Sequence, residues 1–208
     1  AMTDKSQGVK GMSAFLVEAG TPGLSTGNHE NKMGIRTSNT CDVVLEDCRI
    51  PASALMGAEG EGYKIAMKTL DMSRAWVGCG AVGIAQRAID ECVKYAQERV
   101  VFGKPISKFQ GISFMIADME IQTQAARQLA LYACRLLDNG IIDSVVASAA
   151  KTFGGDNAMR VATDAVQVLG GFGYSREYPV EKLMRDAKIY QLFEGTNQVQ
   201  RLVIAGNL

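Results

Sequence analysis

Histidine is almost missing from this sequence: His29 is the only one in 208 residues. Any metal site or acid–base relay that needs two is thereby excluded, and no metal is expected. Charge of one sign is missing too, because 22 Lys and Arg balance 22 Asp and Glu. That removes the electrostatic case for nucleic acid or for a polybasic membrane surface. No apolar run approaches the roughly 18 residues of a membrane span, and no leader segment is read at the start. The five cysteines, Cys41, Cys48, Cys79, Cys92 and Cys134, are an odd number with no C-x-x-C spacing. They read as free thiols of a reducing compartment. Proline is scarce, and none stands between Pro51 and Pro105, which leaves room for one long unbroken helix.

What is present is a globular chain, 47% hydrophobic and 21% charged. Up to about residue 53 it reads as β. Residues 11–18 (GMSAFLVE) look strand-like, Thr21-Pro22-Gly23 is a turn, and residues 40–50 (TCDVVLEDCRI) alternate up to Pro51. So few strands cannot close a core, so they read as the tail of a sheet. From Gly57 onward the period is helical. Ala81, Ile84, Ala85, Ala88, Ile89, Cys92, Val93 and Ala96 recur at steps of three and four. The spacing predicts helices over about 62–99, 112–138 and 144–169, a shorter one after Pro179, and a last one from about Asn197. Met115, Met119, Ala126, Leu129, Ala133, Leu136 and Leu137 mark the inner face of the second. The fold class is therefore mainly α: an antiparallel four- to five-helix bundle with a short N-terminal β remnant. Residues 1–53 read as the end of a β-domain and 54–208 as the helical domain.

No E-x-x-H and no P-loop occurs. Four local features stand out. Leu192-Phe193-Glu194-Gly195-Thr196-Asn197-Gln198 sets an acid between apolar residues on a glycine turn, and desolvation there suits a general base; taken alone it reads more readily as a capping or loop glutamate. Gln167-Val168-Leu169-Gly170-Gly171 ends a helix with glycines, which serves a close ligand approach or a plain C-cap. Arg99 to Pro105, followed by Phe109-Gln110, sets an arginine among rings, suited to a pyrophosphate or to a helix C-terminus. Asp71-Met72-Ser73-Arg74 holds an i, i+3 ion pair, which is either a surface salt bridge or a clamp on a substrate.

In this order the segments resemble one family, the acyl-CoA dehydrogenases. The resemblance runs through KMGIRTSNTCDVVLEDCRIPASALMG, LDMSRAWVGCGAVGIAQRAIDECVKYAQERVVFGKPISKFQ and DAVQVLGGFGYSREYPVEKLMRDAKIYQLFEGTNQVQRLVIA. It implies an FAD enzyme that oxidises an acyl-CoA thioester to the trans-2-enoyl-CoA. Glu194 would be the base that takes the α proton, with its own backbone N–H polarising the thioester carbonyl. Gly195 would leave room for the substrate. Asp71, Met72, Ser73 and Arg74 would contact it, Ser73 standing where some relatives carry the base. For FAD the resemblance implies Arg99, Val101, Phe102, Phe109, Gln110, Gln167, Val168, Leu169, Gly170, Gly171, Thr196, Asn197 and Gln198. Arg99, Gln110 and the 167–171 turn would serve a neighbouring subunit's flavin, so a homo-oligomer, a dimer or tetramer, is implied. Val101 stands where a hydroxyl residue is usual, and Phe193 where a tyrosine is.

The resemblance further implies the C-terminal portion of a longer enzyme, of short- or medium-chain type, with electron-transfer flavoprotein as acceptor. A bacterial cytoplasm or a mitochondrial matrix would be its place. The portion by itself is expected to hold little FAD and to be inactive. Two alternatives stay open: a bundle used only for oligomerisation, and a relative run in reverse as an enoyl-CoA reductase.

Overall fold

A computed structural model describes all residues, 1–208. The chain divides into two compact units, residues 1–32 with 36–70, and residues 33–35 with 71–208. The first unit opens with a 3-10 segment, Lys5–Gly11. Four short strands follow: β1 (Ala14–Phe15), β2 (Leu24–Thr26), β3 (Val43–Leu45) and β4 (Leu55–Met56). They form two separate antiparallel pairs, β1 with β4 and β2 with β3. The strands expected over 11–18 and 40–50 therefore shrink to two and three residues. Neither pair gains a third strand, and a lone two-stranded ribbon cannot hold longer pairing. Val43 and Leu45 stay exposed on it.

The helices fall close to the sequence expectation: α1 (Gly62–Glu98), α2 (Gln110–Asp138), α3 (Ser144–Leu169), α4 (Val180–Ala187) and α5 (Asn197–Ala205). The division between the units falls within α1, at Leu70 and Asp71. The ends have local causes. Asp143 Oδ1 accepts from the Val145 and Val146 N–H groups, both at 2.9 Å, and starts α3. Gly140 at φ +72° follows the end of α2, and Gly170 at φ +59° follows α3. The periodicity gave no warning of a hairpin, β5 (Val100–Val101) with β6 (Lys104–Pro105). Its two-residue loop has Phe102 at φ +50° and Gly103 at φ +77°, the paired left-handed conformation of a tight hairpin turn.

In the second unit α2 runs antiparallel to both α1 and α3. Ala75 packs with Ala133 and Ala150 at one end. At the other, Ala88, Ile89 and Cys92 pack with Met119, Val161, Ala165 and Val168. The core is graded. The end built on Ala75, Ala133 and Ala150 lets the helices approach closely: a Cβ added at Gly78 would stand 3.1 Å from the Ala150 carbonyl oxygen, and one at Gly154 equally close to that of Gly78. The far end carries Ile89, Tyr95, Val161, Leu169 and Leu183, where each large side chain contributes about 1.5–3 kcal/mol by burial. Val93, expected inside, is exposed, because it sits beyond the edge of the α1 stripe. Residues 33–35 dock on α4: the Ile35 N–H donates to Asp186 Oδ1 at 2.6 Å, and Arg185 donates to the Met33 carbonyl at 2.7 Å. All five cysteines are free thiols. No helix is long and apolar enough to cross a membrane.

Candidate active site

Glu194 lies between the 3-10 segment Lys188–Gln191 and α5. Its φ is +59°, and that of Gly195 is +86°. Two successive left-handed residues, one of them not glycine, make a strained turn of the kind found at working sites. The expected apolar enclosure by Leu192 and Phe193 is absent. Both side chains are exposed, and Phe193 turns its ring against Tyr190. Instead the Ser73 hydroxyl reaches across from α1 and donates to Glu194 Oε2 at 2.5 Å. Oε1 and the Glu194 N–H make no hydrogen bond within the chain.

The turn is held from beneath. Its two carbonyls face inward onto buried donors. The Glu194 oxygen accepts from Arg74 Nε at 3.2 Å and from Gln200 Nε2 at 3.1 Å. The Gly195 oxygen accepts from Lys151 Nζ at 2.8 Å and from Gln200 Nε2 at 3.1 Å. Arg74 also pairs with Asp71 at 2.8 Å. Arg74 is only 5% exposed, so the pair is no surface salt bridge. Gly195 has a reason inside the chain as well: an added Cβ would stand 2.6 Å from Gln200 Nε2.

Lys151 and Gln200 were not singled out from the sequence, yet both are fully buried. Asn197 is buried too. Its side chain accepts from Lys151 at 2.7 Å and donates to the Thr152 carbonyl at 3.2 Å and to Asp156 at 2.8 Å. It faces α3, whereas a ligand-facing role was expected of it. Thr196 Oγ1 caps α5 through the Val199 N–H at 3.2 Å, and Gln198 is exposed. Burial, with Arg74 nearby, pulls the Lys151 ammonium down to about 8, against the pull of Asp156 and Glu194. One signal for Lys151 was legible: it is the only charged residue in the small, apolar run of residues 144–155.

The remaining predicted residues gather at the other end of α3. An open groove of about 720 Å³ is lined by Tyr95, Arg99, Val101, Ile112, Val168, Leu169, Gly170, Gly171 and Phe172. Arg99 lies over the Phe172 ring, 5.5 Å from its centroid. Phe102 projects from the hairpin tip, 91% exposed, and its ring meets Phe109 edge-on. Gln110 and Gln167 are exposed nearby in sequence, at the start of α2 and the end of α3. A Cβ added at Gly170 or Gly171 would meet nothing within 4 Å. From Lys151 to Leu169 the helix advances about 27 Å at 1.5 Å per residue. The structure thus joins Asp71–Arg74 to Glu194–Gln198, and Arg99 to Gly170–Gly171, but does not join the two groups to each other.

A long helical bundle with a strained glutamate turn at one end and a glycine-edged groove at the other defines a class, and comparison with known proteins gives that class its family. Residues 60–208 match the family model for the acyl-CoA dehydrogenase C-terminal domain, and the chain belongs to that family. It is 52% identical over 208 residues to the short-chain specific acyl-CoA dehydrogenase of Megasphaera elsdenii, covering 100% of this chain and 54% of that protein. It is 49% identical over 205 residues to the acryloyl-CoA reductase (NADH) of Anaerotignum propionicum, covering 99% and 52%. A solved structure described as an electron transferring flavoprotein of Acidaminococcus fermentans superposes with a TM-score of 0.98 at 52% identity, covering 100% of this chain and 55% of that one. The chain spans about half the length of the curated relatives it matches.

Proposed function

We propose that this chain supplies the base and part of the flavin site of an FAD-dependent acyl-CoA dehydrogenase acting on short acyl-CoA thioesters. The observation that carries the reading is the Glu194–Gly195 turn in a chain of this family. The carboxylate is oriented through Oε2 by Ser73, which leaves Oε1 for the α proton of the thioester. A thioester α proton is too weakly acidic for a carboxylate unless the carbonyl is polarised. The unpartnered Glu194 N–H is the donor this chain offers to that oxygen. Donor and base then belong to one residue, which the left-handed turn holds in place.

The groove at the far end of α3 fits part of a dinucleotide. It has an exposed guanidinium for a phosphate, rings for stacking, and glycines whose missing Cβ atoms leave space. Arg99, Phe102, Phe109, Gln110 and residues 167–171 would hold one FAD; Thr196 and Gln198 would touch another. When bound, FAD supplies the two-electron acceptor for the hydride lost from the β carbon. The gap along α3 supports this division between subunits of a homo-oligomer. Asp71, Met72, Ser73 and Arg74 border the substrate. Electron-transfer flavoprotein is the proposed acceptor.

The likeness to a protein named acryloyl-CoA reductase favours a second direction for the same chemistry. Glu194 then returns a proton to the α carbon, and no other residue changes its role. The test is anaerobic mixing of the full-length flavoprotein with butyryl-CoA in deuterated buffer. Flavin bleaching with deuterium entering the α position supports the reading. Tight binding with neither event sinks it.

A further inference from the structure

Lys151 is the feature that the proposed chemistry leaves unexplained. It is an ammonium with no exposed surface, and burying a charge is unfavourable unless its contacts require it. Both of its contacts lead to one place. Nζ donates to the Gly195 carbonyl at 2.8 Å and to Asn197 Oδ1 at 2.7 Å. Asn197 is itself fixed to α3 through the Thr152 carbonyl and Asp156. Asp156 also accepts from Gln191 at 2.8 Å and from Arg201 at 2.6 Å, so its place is set from both sides of the turn. The charged groups facing the ammonium are Arg74 from α1, Asp156 from α3 and Glu194 from the turn.

We propose that Lys151 is a positioning residue: by gripping the Gly195 carbonyl and Asn197 at once, it sets the left-handed Glu194–Gly195 turn and so the site of the Glu194 carboxylate and N–H. The inference rests on the reading of Glu194 as the base. The geometry explains why an ammonium is used. Two acceptors, the backbone carbonyl of Gly195 and the side-chain amide oxygen of Asn197, must be met by one small donor, and a lysine offers three N–H bonds from a single atom. Arg74 and Gln200 also reach the turn, but neither contacts Asn197. Only Lys151 ties the turn to the first residue of α5 and to α3 together.

The test uses the full-length, flavin-loaded protein carrying Lys151→Met, which keeps the length of the side chain and removes charge and donors. Hydrogen exchange over residues 192–198 is expected to quicken while the rest of the bundle is unchanged. The kcat with butyryl-CoA is expected to fall about 100-fold, as a displacement of about 1 Å can cost, with KM little altered. The melting temperature is expected to fall only modestly, because removal of the buried charge partly offsets the loss of donors to the Gly195 and Asn197 oxygens. Wild-type kcat together with wild-type exchange at 192–198 overturns the proposal. So does a general loss of protection, which would mark a structural residue only. If the methionine variant does not fold, Lys151→Arg is read in the same way: its planar fork cannot place both bonds from one point, so local exchange must quicken and kcat must drop. Glu194→Gln is run alongside. An inactive E194Q with an unaffected K151M overturns this inference alone, whereas an active E194Q overturns the base reading and this one with it.

Discussion

The two ends of α3 are built on different principles. At its start the fully buried neighbours are alanines, glycines let the helices come close, and buried polar groups are locked onto one turn. At its end the neighbours are large and aromatic, the helix stops on glycines, and the surface opens into a groove. The first end pairs both carbonyls of the turn inside the chain, although Ser148 Oγ, Thr152 Oγ1 and Gln200 Oε1 stay buried without a hydrogen bond. The second leaves Arg99 exposed, its guanidinium lying over the Phe172 ring. The proposed base would need one fixed position, which suits a rigid, self-contained mount. The proposed cofactor would bring its own contacts, which suits an open groove.

The contrast can be broken or sharpened by experiment. The largest effect is expected at Glu194: E194Q in the full-length protein should slow flavin reduction by at least about 10²–10⁴. Acyl-CoA binding, followed by equilibrium titration, should persist. Next is Arg74→Ala, which leaves the half-buried Asp71 without its ion pair and takes one of two donors from the Glu194 carbonyl. A loss of about 3 kcal/mol in urea unfolding is expected, although a surface i, i+3 pair would give only about 0.2–0.5 kcal/mol. Gly195→Ala should cost about 1–3 kcal/mol, because it adds left-handed strain to a contact with Gln200; an unchanged unfolding midpoint would show that the turn relaxes.

The fourth prediction concerns pH. Lys151 sits at about 8 when folded, below the 10.5 of a free lysine. Between these values the unfolded chain holds the extra proton, so stability rises with pH across about 8–10.5. Below 8 both states are protonated and this contribution is flat. The slope should approach about 1 kcal/mol per pH unit and should vanish in K151M, as chemical denaturation at several pH values can show. The smallest effects belong to the open end. Arg99→Ala and Gly171→Ala should each change stability by less than about 0.5 kcal/mol. Each should nevertheless release FAD from the full-length protein, read by the flavin fluorescence of the filtrate. A large stability loss in either would erase the distinction between the two ends.

Much of the fold was legible because its causes are local. The start of α3 is written in Asp143 and its end in Gly170; the unbroken α1 follows from the lack of proline between Pro51 and Pro105. The strands were overread, since alternation over residues 40–50 says nothing about whether a partner is present. At the candidate site Glu194 was found, but the apolar setting inferred from Leu192 and Phe193 was not. Sequence neighbours on a tight turn point away from one another, and two of the groups that hold Glu194, Ser73 and Arg74, arrive from 121 and 120 residues away. Reading by hydrophobic period also sends polar residues outward, which is why Lys151, Asn197 and Gln200 escaped notice as interior groups.

The sequence by itself therefore determined the helices, their ends and the family, and pointed to Glu194 as the proposed base, because periodicity, caps and motifs act over a few residues. Only the tertiary structure decided that Arg74 is buried, that Ser73 holds the Glu194 carboxylate, and that Lys151 lies beneath the turn. Those facts depend on contacts between α1, α3 and the turn before α5. A buried charge becomes tolerable only once its partners have been brought together from distant parts of the chain.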